Sequence, residues 1–286
     1  MQKTRYSSRK QEKRTTKKAA KLPELQLMLE KPDCAYPTTT IAQASKILVR
    51  TRSRGLPIID SGKRNLSGEI TPLDIIDYYA GGKKHAVFLK NYSSLKAAAN
   101  APISFIANDK PSTIAMKGKM SDITKKLQTS DTVYVTDGKT LRGEVSDKTL
   151  LKIIKNIDFR AKVKQAMKSS VVTATPGYTI RDVCEIMVRN KFSEVPVVQE
   201  DDIVGIITAT DLLNYFATNA LKMDYDEALN ERIANIMTTN VKSIRPEESL
   251  EKAVLSMIDN DYRALPVFDT KIRGIISQKD VVRFIK

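Results

Sequence analysis

One short frame occurs four times along the chain. "GIITATD" spans 205–211, and "GIISQKD" follows 69 residues later at 274–280. Two earlier versions, "GEITPLD" at 68–74 and "GEVSDKT" at 143–149, keep the glycine and the hydroxyl residue but drift elsewhere. A recurring unit constrains a fold more than any single motif, because each copy is one supersecondary unit that buries its apolar face only against its neighbours.

The third copy shows the whole unit. "SSVVTATPG" at 169–177 reads as a β-branched strand ending in a Pro-Gly turn. In "TIRDVCEIMVRNK" at 179–191, Ile180, Val183, Ile186 and Met187 recur at three- and four-residue steps, the signature of an amphipathic helix. "EVPVVQ", "IVGIIT" and "ATDLLNYFA" then read as strand, strand and helix. The fourth unit repeats this order in "NVKSIRPEE", "SLEKAVLSMIDND", "ALPVFD", "IRGIIS" and "QKDVVRFI", and the first in "CAYPTTTIAQASKILVRTR", "GLPIID", "LSGEIT" and "PLDIIDYYA". The second is worn: it has a helix through "MSDITKKLQ", but Tyr134 stands where the others have Pro57, Pro196 and Pro266.

The "h-P-h-h-D/Q" strand and the "G-h-I-[ST]-x-x-D" end resemble the cystathionine-β-synthase (CBS) domain family over most of 34–286. The resemblance implies an α/β (α+β) architecture of four β-α-β-β-α repeats, paired about pseudo-twofold axes and stacked as a disc. Self-contained discs of this kind are known in stand-alone archaeal members and in the γ subunit of the AMP-activated protein kinase. The expected division is a basic arm at 1–30, a first pair at 31–160 (repeats 32–80 and 100–156), and a second pair at 161–286 (repeats 166–217 and 236–286).

The hydroxyl–carboxylate frame has a structural use. "[ST]-x-x-[DE]" before an apolar run is a capping box, so Thr71–Asp74, Thr208–Asp211 and Ser277–Asp280 should each close a helix start. Pro72 falls at the first helical position, where its missing N–H costs nothing. Thr149 replaces the aspartate in the second unit, which removes the box carboxylate. A ligand reading adds to this one. A carboxylate offers two acceptors to adjacent ribose hydroxyls, and a helix start suits phosphate. In the CBS family this aspartate contacts ribose, the Ser/Thr lies near phosphate, and strand residues sandwich adenine. Carried over, the second pair would hold an adenine nucleotide (AMP, ADP or ATP, with S-adenosylmethionine a further candidate) through Thr208, Asp211, Ser277, Asp280 and Arg263, with Val195, Pro196, Leu265 and Pro266 against the base. The first pair would offer Thr71, Asp74 and Arg54. Ser193 and Glu194 stand where the fourth unit has Arg263 and Ala264, which weakens the phosphate side of the third unit.

Charge divides the chain in two. Residues 1–160 hold 31 Lys+Arg against 15 Asp+Glu, a balance of +16, whereas residues 161–286 hold 17 against 18, a balance of −1. The first 22 residues carry nine cations and one acid, with no apolar periodicity, and should be disordered alone. Such asymmetry points to a polyanionic partner. The candidate RNA contacts are Lys3, Arg5, Tyr6, Arg9, Lys10, Lys13, Arg14, Lys17, Lys18 and Lys21 in the arm, then Lys46, Arg50, Arg52, Lys83 and Lys84. No helix-turn-helix or zinc-finger pattern is present, so structured RNA, ribosomal above all, fits better than duplex DNA.

Cys34 and Cys184 lack metal or disulfide spacing, and the one histidine, His85, sits in "GGKKHA", which reads as a solvated loop. No nucleophile–base set or phosphate loop appears. The expectation is a non-enzymatic, metal-free cytoplasmic regulator, a monomeric disc or homodimer, that senses adenine nucleotide and docks on the ribosome to silence translation. The alternative is a sensor regulating a protein partner without RNA.

Overall fold

The computed structural model describes residues 25–155, 157, 159–219 and 222–284. A 3-10 turn at Leu25–Met28 leads into the first unit: α1 (Ile41–Thr51), β1 (Leu56–Ile59), β2 (Leu66–Ile70) and α2 (Pro72–Ile76), which runs on through a π-turn at Asp77–Gly81. Two linker helices follow, α3 (His85–Asn91) and α4 (Leu95–Ala99). The second unit comprises β3 (Thr113–Ala115), α5 (Met120–Leu127), β4 (Thr132–Asp137), β5 (Thr140–Ser146) and α6 (Asp147–Ile154). After α7 (Val163–Ala166) come α8 (Ile180–Asn190), β6 (Glu194–Gln199), β7 (Asp202–Thr208) and α9 (Ala209–Asn219). The last unit follows α10 (Tyr225–Asn230) with α11 (Leu250–Asp259), β8 (Ala264–Phe268), β9 (Ile272–Ser277) and α12 (Gln278–Phe284).

Local chemistry explains the first helix of three of the units. Thr40 and Gln43 close a capping box at α1, Thr179 and Asp182 do so at α8, and Ser249 caps α11. Each helix then buries one stripe: Ile180, Val183, Cys184 and Met187 in α8, and Leu250, Ala253, Val254 and Met257 in α11. Burying an aliphatic side chain of this size contributes about 1.5–3 kcal/mol. In the worn unit, α5 has no side-chain cap and buries only Ile123 and Leu127.

The four hairpins share one design. Each pairs antiparallel, and each carries a bulge at the same step: Ile58/Ile59, Val135/Thr136, Val197/Val198 and Val267/Phe268. The expected first strands shrink to single parallel bridges at Ala35, Ala174 and Ile244, and only the worn unit keeps a three-residue strand there. The outer strand of every hairpin meets the segment leading into its sister unit. Glu69 bridges Asn108 and Glu144 bridges Glu30, while Ile206 bridges Thr238 and Ile275 bridges Lys168. These reciprocal crossings define two pairs, first with second and third with fourth. They also explain the motif glycine, which is not a turn residue. A Cβ on Gly68 would lie 2.8 Å from the Asn108 carbonyl oxygen, and one on Gly143 would lie 3.0 Å from that of Glu30.

Packing joins the pairs. One core combines the first and third units, with α1 and α2 against α9; the other combines the second and fourth, with α6 against α12. Each core is therefore built half from each pair, and the pairs stack into a disc.

Three further sequence expectations change. The basic arm is shorter than 1–30: Leu25 and Met28 are buried in the second core, and Glu30 pairs with Glu144, because these are apolar and strand-competent residues next to the first unit. Lys3, Arg5, Tyr6, Arg9, Lys10, Lys13, Arg14, Lys17, Lys18 and Lys21 lie outside the described residues. His85 is not in a solvated loop. It opens α3, its Nδ1 lies 3.0 Å from the Tyr78 carbonyl and its Nε2 lies 3.1 Å from the Tyr225 hydroxyl, and its ring stacks on Phe88 and Tyr225. Thr149 still completes the box of the second unit: its N–H donates to Ser146 Oγ at 3.2 Å, and its hydroxyl accepts from the Ser146 N–H at 3.3 Å. A hydroxyl is thus enough for capping, and what the second unit lacks is the carboxylate alone.

Candidate nucleotide clefts at the disc centre

The three aspartate motifs share a geometry that separates capping from binding. Asp211 Oδ2 accepts from the Thr208 N–H at 2.8 Å and from the Thr208 hydroxyl at 2.7 Å, while the Asp211 N–H donates to Thr208 Oγ1 at 3.2 Å. Asp280 Oδ2 accepts from the N–H and hydroxyl of Ser277, and Asp74 Oδ2 accepts from those of Thr71. Capping therefore consumes one carboxylate oxygen and leaves Oδ1 outside the capping bonds, in residues that each border a cleft.

The fate of Oδ1 differs between units. In the fourth it lies 3.4 Å from Lys168 Nζ and 3.9 Å from Arg283. In the third, Asp211 Oδ1 meets no protein donor among the described residues; burial pushes this carboxyl up, against the Thr208 bonds and Arg52. In the first, Lys84 fills the place. Its ammonium pairs with Asp74 Oδ1 and also donates to the Ile106 carbonyl. The front aspartate is thus self-occupied, and Lys84 is withdrawn from the candidate RNA contacts.

Ser277 and Asp280 border one cleft. Val171, Val172, Pro196 and Ile275 give it an apolar side, and Lys168, Lys279, Arg54 and Arg263 a cationic one. Thr208 and Asp211 border a second cleft with Ile206, Thr238, Tyr262 and Ala264. Thr71 and Asp74 border a third, wider one. Val195 and Leu265 do not reach these clefts. They sit in the two cores, because strand alternation sends neighbours to opposite faces, and of these strand residues only Pro196 turns to the cleft side. Pro266 is buried in β8 and lies outside the described linings.

Equivalent positions of the four units, Arg54, Asp131, Ser193 and Arg263, converge on the centre. Arg263 is not a free phosphate contact. Its guanidinium donates to the carbonyls of Arg52 at 3.0 Å and Ser53 at 2.9 Å, which ties the fourth unit to the first. Burial, aided by Arg54, pushes Arg263 down to about 10. Arg54 reciprocates by donating to Gln278, whose amide donates in turn to the Tyr262 carbonyl at 2.7 Å. Burial opposes ionisation of Asp131, but Lys279, its ion-pair partner, together with Arg54 and Arg263, holds the carboxyl below the usual range. Glu194 is pushed up by burial, against Arg263 and Arg54.

Of the remaining candidates, Lys46, Arg50 and Lys83 are exposed on the front pair. Arg50 lies 3.6 Å from Asp33, and Arg52 lies 3.6 Å from Asp261 of the fourth unit. Sequence reasoning missed Lys168, Lys279, Asp131 and Asp147. Asp131 occupies the Arg54/Arg263 column and was open to that comparison; Lys168 lies on a crossing segment with no local signature. Among the described residues no metal-holding acid, histidine or cysteine group occurs, and no helix is long and apolar enough to cross a membrane.

Comparison with known proteins gives these features a lineage. The CBS domain model matches residues 24–81, 163–218 and 233–286, more than half of the chain, and leaves the worn second unit outside the matched segments. Protein MJ1225 of Methanocaldococcus jannaschii is 31% identical over 261 residues, 87% of this chain and 93% of that protein. Its crystal structure, of a protein proposed as an archaeal homologue of g-AMPK, matches with a TM-score of 0.86 at 28% identity, over 92% of this chain and 100% of that one. A 33.4 kDa protein in a ribosomal RNA operon of Thermofilum pendens is 22% identical over 262 residues, 86% of this chain and 87% of that protein. With four units of one plan, reciprocal crossings within each pair and these matches, the chain belongs to the CBS-domain family.

Proposed function

We propose that this protein is a non-catalytic regulator whose rear pair binds an adenine nucleotide at the Ser277–Asp280 cleft. One observation carries the reading: Asp280 spends Oδ2 on its own helix, keeps Oδ1 outside the capping bonds beside Lys168, and borders a cleft with an apolar side and a cationic side. That arrangement offers a ribose acceptor, a slot for a base and a counter-charge for phosphate. The Thr208–Asp211 cleft offers the same acceptor with a more mixed lining, and the front Asp74 cleft is filled by Lys84. The nucleotide is AMP, ADP or ATP, with S-adenosylmethionine the outlier because its cationic tail would meet Lys168, Lys279 and the two arginines. Titration calorimetry of the full chain with these four compounds tests the reading, and heat from none of them refutes it.

The basic front half supports a second element, docking on ribosomal RNA. The balance of +16 over residues 1–160 against −1 over the rest favours a polyanionic partner for the front half. A relative named for its place in a ribosomal RNA operon agrees with this direction. A cationic arm threaded along an RNA-lined path would exclude substrate and silence translation sterically. Co-sedimentation with ribosomes across a salt series decides it. Full-length protein should pellet at low salt and release steeply as salt rises, and removing residues 1–21 should flatten the response. Failure of both forms to pellet would leave a sensor acting on a protein partner.

A further inference from the structure

Asp147, at the disc centre, is a buried carboxylate with both oxygens unpartnered among the described residues. It is the first residue of α6, in the unit whose motif lost its aspartate. Its side chain is 0% exposed, and neither carboxylate oxygen has a hydrogen-bond partner. It nevertheless lines the Ser277–Asp280 cleft, so the front pair supplies a wall of the rear pair's cleft. A buried carboxylate without donors is costly when ionised, and such groups concentrate at functional sites.

The charges around it are specific. Arg54 approaches from the segment before β1, Asp131 from the segment before β4, and Lys279 and Arg283 from α12. Across the cleft stand Glu194 and Arg263. Burial dominates, and Asp131 adds to it, so the carboxyl titrates at about 7 despite the three cations. The three cations themselves are engaged: Arg54 with Gln278, Lys279 with Asp131, and Arg283 with the Gln128 carbonyl.

A phosphate entering this cleft would draw Arg54 and Lys279 toward itself. Asp147 would then lose the cations that favour its ionised form and would gain a dianion as neighbour. The protonated carboxyl, by contrast, is a donor that a phosphate oxygen can accept. We propose that Asp147 is a specificity-determining residue of the rear cleft, so that binding of a phosphorylated adenine nucleoside there is coupled to uptake of a proton by Asp147, while the unphosphorylated nucleoside binds without it. The proposal rests on the nucleotide reading above and adds to it the charge state that the cleft selects.

Titration calorimetry of AMP and adenosine into the full chain at pH 7.5, in two phosphate-free buffers of different ionisation enthalpy, counts the protons directly. AMP should show net uptake of up to about one proton per rear site and adenosine none. AMP affinity should fall by up to about tenfold per pH unit above pH 7, the limit set by linkage of one proton. Asp147→Asn should still bind AMP but lose both the uptake and the pH slope. If that variant fails to fold, the AMP–adenosine difference in the wild-type protein decides by itself. AMP binding with no more proton uptake than adenosine overturns the proposal and leaves the nucleotide reading standing. Absence of heat from both ligands overturns the reading and the proposal with it.

Discussion

Gly274 offers a sharp test of the crossing architecture. A Cβ there would lie closer than 3.0 Å to the Lys168 carbonyl oxygen and 3.1 Å from its carbonyl carbon, both inside ordinary van der Waals contact. The obstacle is backbone, so Gly274→Ala must push the crossing segment away. That segment is held by two hydrogen bonds, Lys168 N–H to the Ile275 carbonyl at 2.9 Å and Ile275 N–H to the Lys168 carbonyl at 3.0 Å. Losing both costs about 1–3 kcal/mol, and overpacking adds about 1–3 kcal/mol. Lower unfolded-state entropy returns about 0.4–1 kcal/mol, which leaves a net loss of roughly 1–6 kcal/mol, centred near 3. Gly205→Ala is the matched control. Its Cβ meets only the Met237 side chain, with Sδ at 2.5 Å, and a thioether can rotate aside, so the cost should stay near ~1 kcal/mol. Gly62→Ala meets nothing within 4 Å and should be neutral. Urea unfolding of the three variants measures the order directly. If Gly274→Ala falls within about 0.5 kcal/mol of Gly205→Ala, a distance at which single-site effects are indistinguishable, the account of the motif glycine is wrong. Lys168 also flanks the cleft, so nucleotide affinity should weaken with Gly274→Ala.

Two further outcomes follow from the site. Lys84→Met frees Asp74 Oδ1 and should raise the calorimetric stoichiometry for AMP by one site, at a stability cost of about 1–2 kcal/mol for a half-buried pair. The Asp147 carboxyl titrates at about 7 when folded, against about 3.9 unfolded, so its contribution to stability is fully present below about pH 4 and is lost as pH rises to about 7. Asp147→Asn should therefore be more stable than wild type at pH 8, by at most ~4 kcal/mol, and this margin should shrink toward pH 4 in urea titrations.

The repeat, the helix faces and the hairpins were legible because they depend on local periodicity and spacing, which four copies make redundant. Thr208, Asp211, Ser277 and Asp280 were legible for the same reason, since capping and binding use one short frame. The outcome at each aspartate was not. Lys84 reaches Asp74 from a linker ten residues on, and Lys168 reaches Asp280 from the segment before another unit. Arg263 has the right position for a phosphate contact, yet its donors close the disc against Arg52 and Ser53. Val195 and Leu265 failed as base contacts because a motif marks a strand but not which face of it looks at the cleft. The left-handed residues Arg52, Lys191 and Asp261, at matching positions after three helices, carry no glycine to announce them.

AMP titration of Asp280→Ala against wild type tests the central claim most directly. Asp280 is the acceptor that the rear cleft keeps after capping its helix, and a charge-assisted hydrogen bond is worth about 1.5–3 kcal/mol. The account predicts that wild type binds AMP and that the variant, shown folded by circular dichroism, binds it about 10- to 150-fold more weakly. Equal affinity in a folded Asp280→Ala protein, or no AMP binding by the wild type, would contradict it.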